Sequence, residues 1–387
     1  MDFTLSPLQT EIAKQSAKIS AAFPMSYWRE KDRSEEYPWE FVKPFAEGGW
    51  LGIIIPQAYG GMGLGITEAA VFLNRVAASG AGMSGASALH FSIFPPMPLV
   101  RHGSPSMKQR YLPDLAAGKR LMAFGITEPN AGSDTSRIET RAIKHGDYWL
   151  INGQKMWTTN AQNAQKILLL TRTSPRDPTE PLAGLTLFFT DLDRHYCDIR
   201  RIDKLGRAAV DSNEVFLNNL PATDDQIVGE LGNGFQYLLD GFNPERIVLA
   251  AEAIGIGRAA LQRAAHYAGE RIVFDRPIGA NQAIAHPLAR AWAFLESAEL
   301  MVFKAAALYD SGQACAKEAN AAKYLAADAA FQAADAAVQT LGGLGYAKEF
   351  DVERLWREVR LYKIAPISQE MILNFLSQKA LNLPKSY

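Results

Sequence analysis

The chain has 387 residues, 48% of them hydrophobic and 21% charged, and 40 basic against 41 acidic side chains leave a formal net charge of -1. Those totals describe a globular protein of two or three domains, with no run of either sign to serve a nucleic acid or an anionic membrane surface. No apolar stretch is long enough to span a bilayer, and no basic n-region precedes an apolar core at the N-terminus. The two cysteines, Cys197 and Cys315, form no metal-spaced pair, so no metal and a reducing, cytoplasmic setting are expected.

Residues 1–121 read as helical. LQTEIAKQSAKISAAF and TEAAVFLNRVAASG are separated by GWLGIIIPQAYGGMGLG, a loop by its glycine and proline content. From 122 to 229 the texture changes to strands. KILLLTRTS, LTLFFTDLD and NEVFLNNL follow at close spacing, with SPRDPTEP as an exposed turn, and YWLINGQKMW carries an Asn152–Gly153 pair that predicts a hairpin. No helices alternate with these runs, so an antiparallel barrel or sandwich is expected.

Residues 230–387 return to helix. Ile284, Leu288, Ala291, Leu295, Ala298 and Val302 form one stripe, and Ala322, Ala326, Ala329, Ala333 and Ala336 form another, as the seams of a bundle require. The fold class is therefore α+β: a helical domain, a β domain and a C-terminal helical bundle. GIGRAA, Gly255–Ala260, fits a dinucleotide-binding glycine pattern. Its run continues with helical character and lacks βαβ surroundings, so close helix packing is the better reading.

FGITEPNAGSD (Phe124–Asp134), KMWTTNA, ERIVFDRPIGANQAIAH and QTLGGLGY occur in that order across this layout. Together with GWLGIIIPQAYGG and KQRYLPDLAAGKR they resemble the acyl-CoA dehydrogenase family of flavoproteins over nearly the whole chain. The resemblance implies FAD as cofactor, usually in a homotetramer (or a homodimer), and an acyl thioester of CoA or a carrier protein as substrate. It implies oxidation to the trans-2-enoyl thioester, a carboxylate taking the α-proton, the flavin the β-hydride, and an electron-transfer flavoprotein the electrons.

Position by position, the resemblance puts Phe124, Ile126 and Thr127 along the flavin, Ser133 near the pantetheine–phosphate path, and Trp157 and Thr159 on the other flank. Arg271, Phe274 and Gln282 would reach the FAD of a neighbouring subunit. Gln339, Gly342 and Gly343 would form a second pyrophosphate contact, and Ser368 and Glu370 fall on further cofactor-contacting positions.

The sequence departs from the family where many members carry a C-terminal glutamate base. In YKIAPISQEM that position is Pro366, which can neither accept a proton nor donate a backbone hydrogen bond. A branch including the isovaleryl-CoA and long-chain enzymes carries the base on a C-terminal-domain helix, and FNPERIVLA puts Glu245 there. Phe242, Asn243 and Arg246 would then border the CoA end of the site.

Read from its neighbours alone, Asn243 could cap a helix beginning at Pro244, with Glu245 as a first-turn acid; a helix continuing through Pro244 is the alternative. Ala365, where straight-chain enzymes often carry tyrosine, leaves room for branched or cyclic acyl groups. SIFPPMP would border the acyl tail, and His90 reads as a hydrogen-bonded structural histidine. Two other readings stay open: a flavin monooxygenase or other non-dehydrogenating relative, and a DNA-associated member of the fold.

Overall fold

The computed structural model describes residues 4–385. Its first part is helical: α1 (Pro7–Ser20), α2 (Met25–Ser34), α3 (Trp39–Glu47), α4 (Ile66–Val76), α5 (Gly82–His90), α6 (Met97–His102) and α7 (Pro105–Ala116). Ser6 and Gln9 form a reciprocal cap at the start of α1, with Pro7 supplying a preset φ at its first position. Between α3 and α4 the glycine-rich segment is irregular apart from two short 3-10 turns.

The strands follow: β1 (Met122–Gly125), β2 (Arg141–His145), β3 (Tyr148–Thr159), β4 (Lys166–Arg172), β5 (Leu185–Asp191), β6 (Cys197–Arg201) and β7 (Ser212–Thr223). They form one curled sheet in the order β1-β4-β2-β3-β7-β6, with β5 on β4. The sheet is mixed rather than purely antiparallel, because β1 lies parallel to β4 and β2 meets β4 in parallel through the Arg141–Arg172 pair.

Asn152–Gly153 is not a turn. Strand β3 runs straight through it, and the hairpin comes earlier, at Gly146–Asp147, where His145 faces Tyr148 and Gly146 takes the positive φ of a tight turn. The asparagine–glycine pair instead marks a register shift against β7. There Asn152 Oδ1 accepts from the Asn219 backbone and Asn152 Nδ2 donates to Asn219 Oδ1, both at 2.9 Å.

The C-terminal part contains α8 (Gly234–Glu270), the two-residue strands β8 (Ile272–Val273) and β9 (Arg276–Pro277), α9 (Gln282–Asp310), α10 (Ala316–Leu341), α11 (Val352–Val359) and α12 (Gln369–Lys379). Helices α8, α9 and α10 pack on one another along the stripes legible in sequence: Ala291, Leu295, Ala298 and Val302 on α9, and Ala322, Ala326, Ala329 and Ala333 on α10, are all buried.

Helix α8 settles two readings. It runs unbroken through Pro244, so Glu245 is an interior residue and not a first-turn acid. The proline's missing N–H removes one bond of the ladder, to the Asp240 carbonyl, and packing on both sides outweighs that loss. The glycines of GIGRAA are close-packing positions. A Cβ at Gly255 would stand 2.4 Å from the Asn74 carbonyl oxygen, and one at Gly257 would stand 2.8 Å from Leu295 Cδ2.

Candidate active site

Strand β1 and the turn after it carry Phe124, Ile126 and Thr127, all half-buried. Met156 N donates to Thr127 O at 2.8 Å, which brings this turn against the end of β3, where Trp157 and Thr159 lie. A register shift between Lys155 and Thr158 re-aims the chain there. Trp157 takes a φ of 58° and is 54% exposed, an open indole on the rim of the sheet. Thr159 is buried and accepts from Arg207 at 3.2 Å, and the Thr127 hydroxyl makes no hydrogen bond among the described residues.

The turn is braced from below by a pair that sequence reasoning missed. Lys155 Nζ, fully buried, donates to Glu128 Oε1 at 2.8 Å and to Ile126 O at 3.1 Å. Glu128 also accepts from the Glu139 and Thr140 amides. Burial pulls the Lys155 ammonium down to about 8, and Glu128 offsets part of that. An apolar face with an unpaired hydroxyl and an exposed indole fits the edge of a planar heteroaromatic ring such as isoalloxazine.

The second cluster lies on α8. Glu245 is 8% exposed and makes no hydrogen bond among the described residues. Loss of hydration raises its carboxyl from the usual 4.5 to about 7, with Arg246 and Lys323 pulling the other way. Arg246 stacks its guanidinium over Phe242, 5.6 Å from the ring centre, and reaches Asn243 Oδ1 at 3.4 Å. Its Nε is buried with no hydrogen-bond partner among the described residues, an unspent donor.

Lys323, buried in the alanine seam of α10, donates to the Ile367 carbonyl at 2.5 Å and is held down to about 8 by burial, with Arg246 adding to the fall. It fastens α10 to the segment that follows Ala365 and Pro366, and its charge acts on Glu245. The Ile367 N–H makes no hydrogen bond among the described residues.

Other expected residues lie apart from this cluster or have local partners. Ser368 caps α12 by accepting from Met371 N, and Glu370 is a first-turn acid whose carboxyl is lowered by backbone hydrogen bonding and the Ser368 hydroxyl. Ser133 is exposed. Arg271, Phe274 and Gln282 are exposed at the far end of α8, about 40 Å along the helix from Glu245 at 1.5 Å per residue. Gln339, Gly342 and Gly343 are exposed at the end of α10, and no atom lies within 4 Å of a Cβ built on either glycine.

His90 behaves as its structural reading requires, pairing through Nδ1 with Glu252 Oε1 at 2.7 Å. No cluster of three or more potential metal ligands occurs among the described residues. No helix among them is long and apolar enough to cross a membrane.

Models of the acyl-CoA dehydrogenase N-terminal, middle and C-terminal domains match residues 6–119, 123–220 and 232–381. The acyl-CoA dehydrogenase FadE12 of Mycobacterium tuberculosis is 38% identical over 97% of this chain and 96% of its own length. A 3-(aryl)acrylate reductase of Clostridium sporogenes is 35% identical over 87% of this chain and 88% of its own. The structure of butyryl-CoA dehydrogenase from Megasphaera elsdenii superposes with a TM-score of 0.93 at 28% identity, covering 99% of this chain and 100% of that one. With three domain models matching in order over helices, curled sheet and bundle, the chain belongs to the acyl-CoA dehydrogenase family of FAD-dependent oxidoreductases.

Proposed function

We propose that this chain removes the α-proton of an acyl-CoA with Glu245 and yields the trans-2-enoyl thioester. The observation that carries the reading is the state of Glu245: a buried carboxyl with no hydrogen bond among the described residues and a proton affinity raised to about 7 by desolvation. A base of that strength is half ionised near neutrality and strong enough to take an activated proton. When bound, FAD supplies the acceptor for the β-hydride.

The chain's own residues would do the rest. Phe124, Ile126, Thr127, Trp157 and Thr159 would hold the ring and keep water from it. The Arg246 guanidinium, with its spare Nε, would draw the polar CoA end toward Phe242 and Asn243. Pro366 has no N–H, so the Ile367 N–H, unpaired among the described residues, would polarise the thioester carbonyl in its place, with Lys323 anchoring the same residue through its carbonyl. Ala365 leaves space beside the reacting carbons for a branched acyl group.

The distance of Arg271, Phe274 and Gln282 from Glu245 supports their serving the flavin of a neighbouring subunit, with the protein a homotetramer. An electron-transfer flavoprotein would reoxidise it. Two free, buried cysteines accord with a reducing cytoplasm. Anaerobic mixing of the yellow holoenzyme with a panel of straight and branched acyl-CoA thioesters tests the reading: at least one must bleach the flavin. A flavin that no thioester reduces, yet that consumes oxygen with another substrate, would favour the monooxygenase alternative.

A further inference from the structure

Arg207, in the loop between β6 and β7, is 7% exposed. Thr159 and Ser212 face each other as partners at the ends of β3 and β7, and Arg207 Nη2 donates to both hydroxyls, at 3.2 and 2.6 Å. Its Nε is sealed from solvent with no hydrogen-bond partner, and the guanidinium makes no ion pair, among the described residues. Asp211, close by in the chain, accepts instead from Gln162 N, Asn163 Nδ2 and Asn213 Nδ2. Burial works against the charge, and Asp211, Tyr362 and Glu252 offset that only in part, from beyond ion-pair range. A cation stripped of hydration without a counter-charge destabilises a fold, and two neutral hydroxyls compensate little of it.

The arrangement is clamped in place. Arg357 Nη1 donates to the Leu205 carbonyl at 3.0 Å, and Arg201 Nη2 to the Ala208 carbonyl at 2.8 Å. A Cβ on Gly206 would stand 3.1 Å from the Arg357 backbone, so the loop lies tight against α11. Arg207 has a φ of 57°, and Trp157 and Asn160, flanking the Thr159 segment, share that left-handed backbone at 58° and 60°. Three non-glycine residues so placed around one hydroxyl hold strain that the packing must maintain, as functional sites do.

A guanidinium only donates, so Thr159 Oγ is the acceptor and its own proton has no acceptor among the described residues. We infer that Arg207 is a positioning residue for the flavin: it leaves the Thr159 hydroxyl as a directed donor to the ring and sets a buried positive charge behind it, so that the protein holds the reduced ring more tightly than the oxidised one. Two-electron reduction makes the ring richer in electrons, which a donor and a cation both favour. The inference rests on the reading that puts Thr159 on the flavin, and depends on neither Glu245 nor the acyl group.

The test is the two-electron midpoint potential of the holoenzyme flavin, from reductive titration against a reference dye. It is measured in wild type, Arg207→Met, Thr159→Val and the double variant. Arg207→Met should weaken the preference for the reduced ring by about tenfold, which is a fall of about 30 mV. In the Thr159→Val background the same change should lower the potential less than half as far. An arginine with a merely structural role would show in urea unfolding of the apoprotein and leave the potential of bound flavin where it was.

An unmoved potential in Arg207→Met would overturn the inference, as would a fall of equal size in the Thr159→Val background. If Thr159→Val alone keeps both the potential and the FAD affinity of wild type, the placing of Thr159 on the ring fails and the inference with it. Should Arg207→Met hold no flavin, Arg207→Gln, neutral yet still hydrogen-bonding, carries the same comparison. Should neither hold it, the wild-type potential decides, because a protein that binds the reduced ring more tightly must lie above free FAD. Dye titration needs no substrate, so failure of every thioester to reduce the flavin would sink the dehydrogenase reading alone.

Discussion

Lys323 on α10 and Glu245 on α8 are electrostatically coupled inside the helical bundle, and Lys323 spends a proton on the Ile367 carbonyl at 2.5 Å. One buried ammonium therefore acts on the candidate base and also holds the carbonyl of Ile367, the residue proposed to supply the donor missing at Pro366. Replacing it with methionine removes a charge that favours the ionised form of Glu245. The acid limb of kcat/KM in Lys323→Met should move to higher pH by roughly one unit, and kcat should fall as the Ile367 peptide loses its anchor. A pH–rate profile that does not move would separate Lys323 from the base.

In the wild type the same limb should be half-complete near pH 7, because Glu245 must be ionised to accept a proton and burial raises its carboxyl to about 7. An unshifted glutamate would place it near 4.5. The sign for stability is opposite to that of a salt-bridged acid. The folded state holds the Glu245 proton more tightly than the unfolded chain, so this stabilisation is complete below 4.5 and is lost as pH rises through 7. Glu245→Gln should remove that loss, and the apoprotein variant should gain up to ~3 kcal/mol over wild type above pH 8 in denaturant titrations.

The Lys155–Glu128 pair supports the turn carrying Phe124, Ile126 and Thr127. Lys155→Met strands a buried carboxylate and should cost about 3–5 kcal/mol, whereas Lys155→Met with Glu128→Gln should cost clearly less. Urea unfolding of the four proteins of this cycle measures the difference. Flavin content after gel filtration should fall in the single variant, since the turn is no longer held.

Much of this architecture could be read from residue patterns because the bundle seams repeat at helical spacing and the strand runs are strongly apolar. Ala322, Ala326, Ala329 and Ala333 announce a close-packed helix without any partner in view. The hairpin was misplaced because Asn152–Gly153 has the turn dipeptide. Gly146–Asp147 closes the loop between better-matched strands, and tertiary pairing with β7 takes the other pair into β3. Of the two readings open at Asn243, the continuing helix is the one observed, for a similar reason: burial on both sides of Pro244 outweighs one missing hydrogen bond.

Within the site, Glu245 was legible from the family pattern and from Pro366. Lys323, Lys155, Glu128 and Arg207 were not, since long-range pairing brings them together. A trace existed for Lys323, which interrupts an alanine seam.

Gly255 offers a test of the bundle itself. Its would-be Cβ meets the Asn74 carbonyl, a backbone atom that cannot rotate away, so Gly255→Ala should destabilise the protein by about 1–3 kcal/mol despite alanine's better helix propensity. Gly269, on the same helix with nothing within 4 Å of its Cβ position, should gain stability from the same change, and thermal melts of the two variants report the contrast.

The most direct test of Glu245 as the base is stopped-flow reduction of the holoenzyme flavin, under anaerobic conditions, by the best acyl-CoA of the panel in wild type and Glu245→Gln. The glutamine keeps shape and burial but cannot take a proton, so the reduction rate should fall by about 10²–10⁴-fold while acyl-CoA binding, read from the absorbance shift, persists. Reduction of Glu245→Gln at the wild-type rate would contradict the assignment.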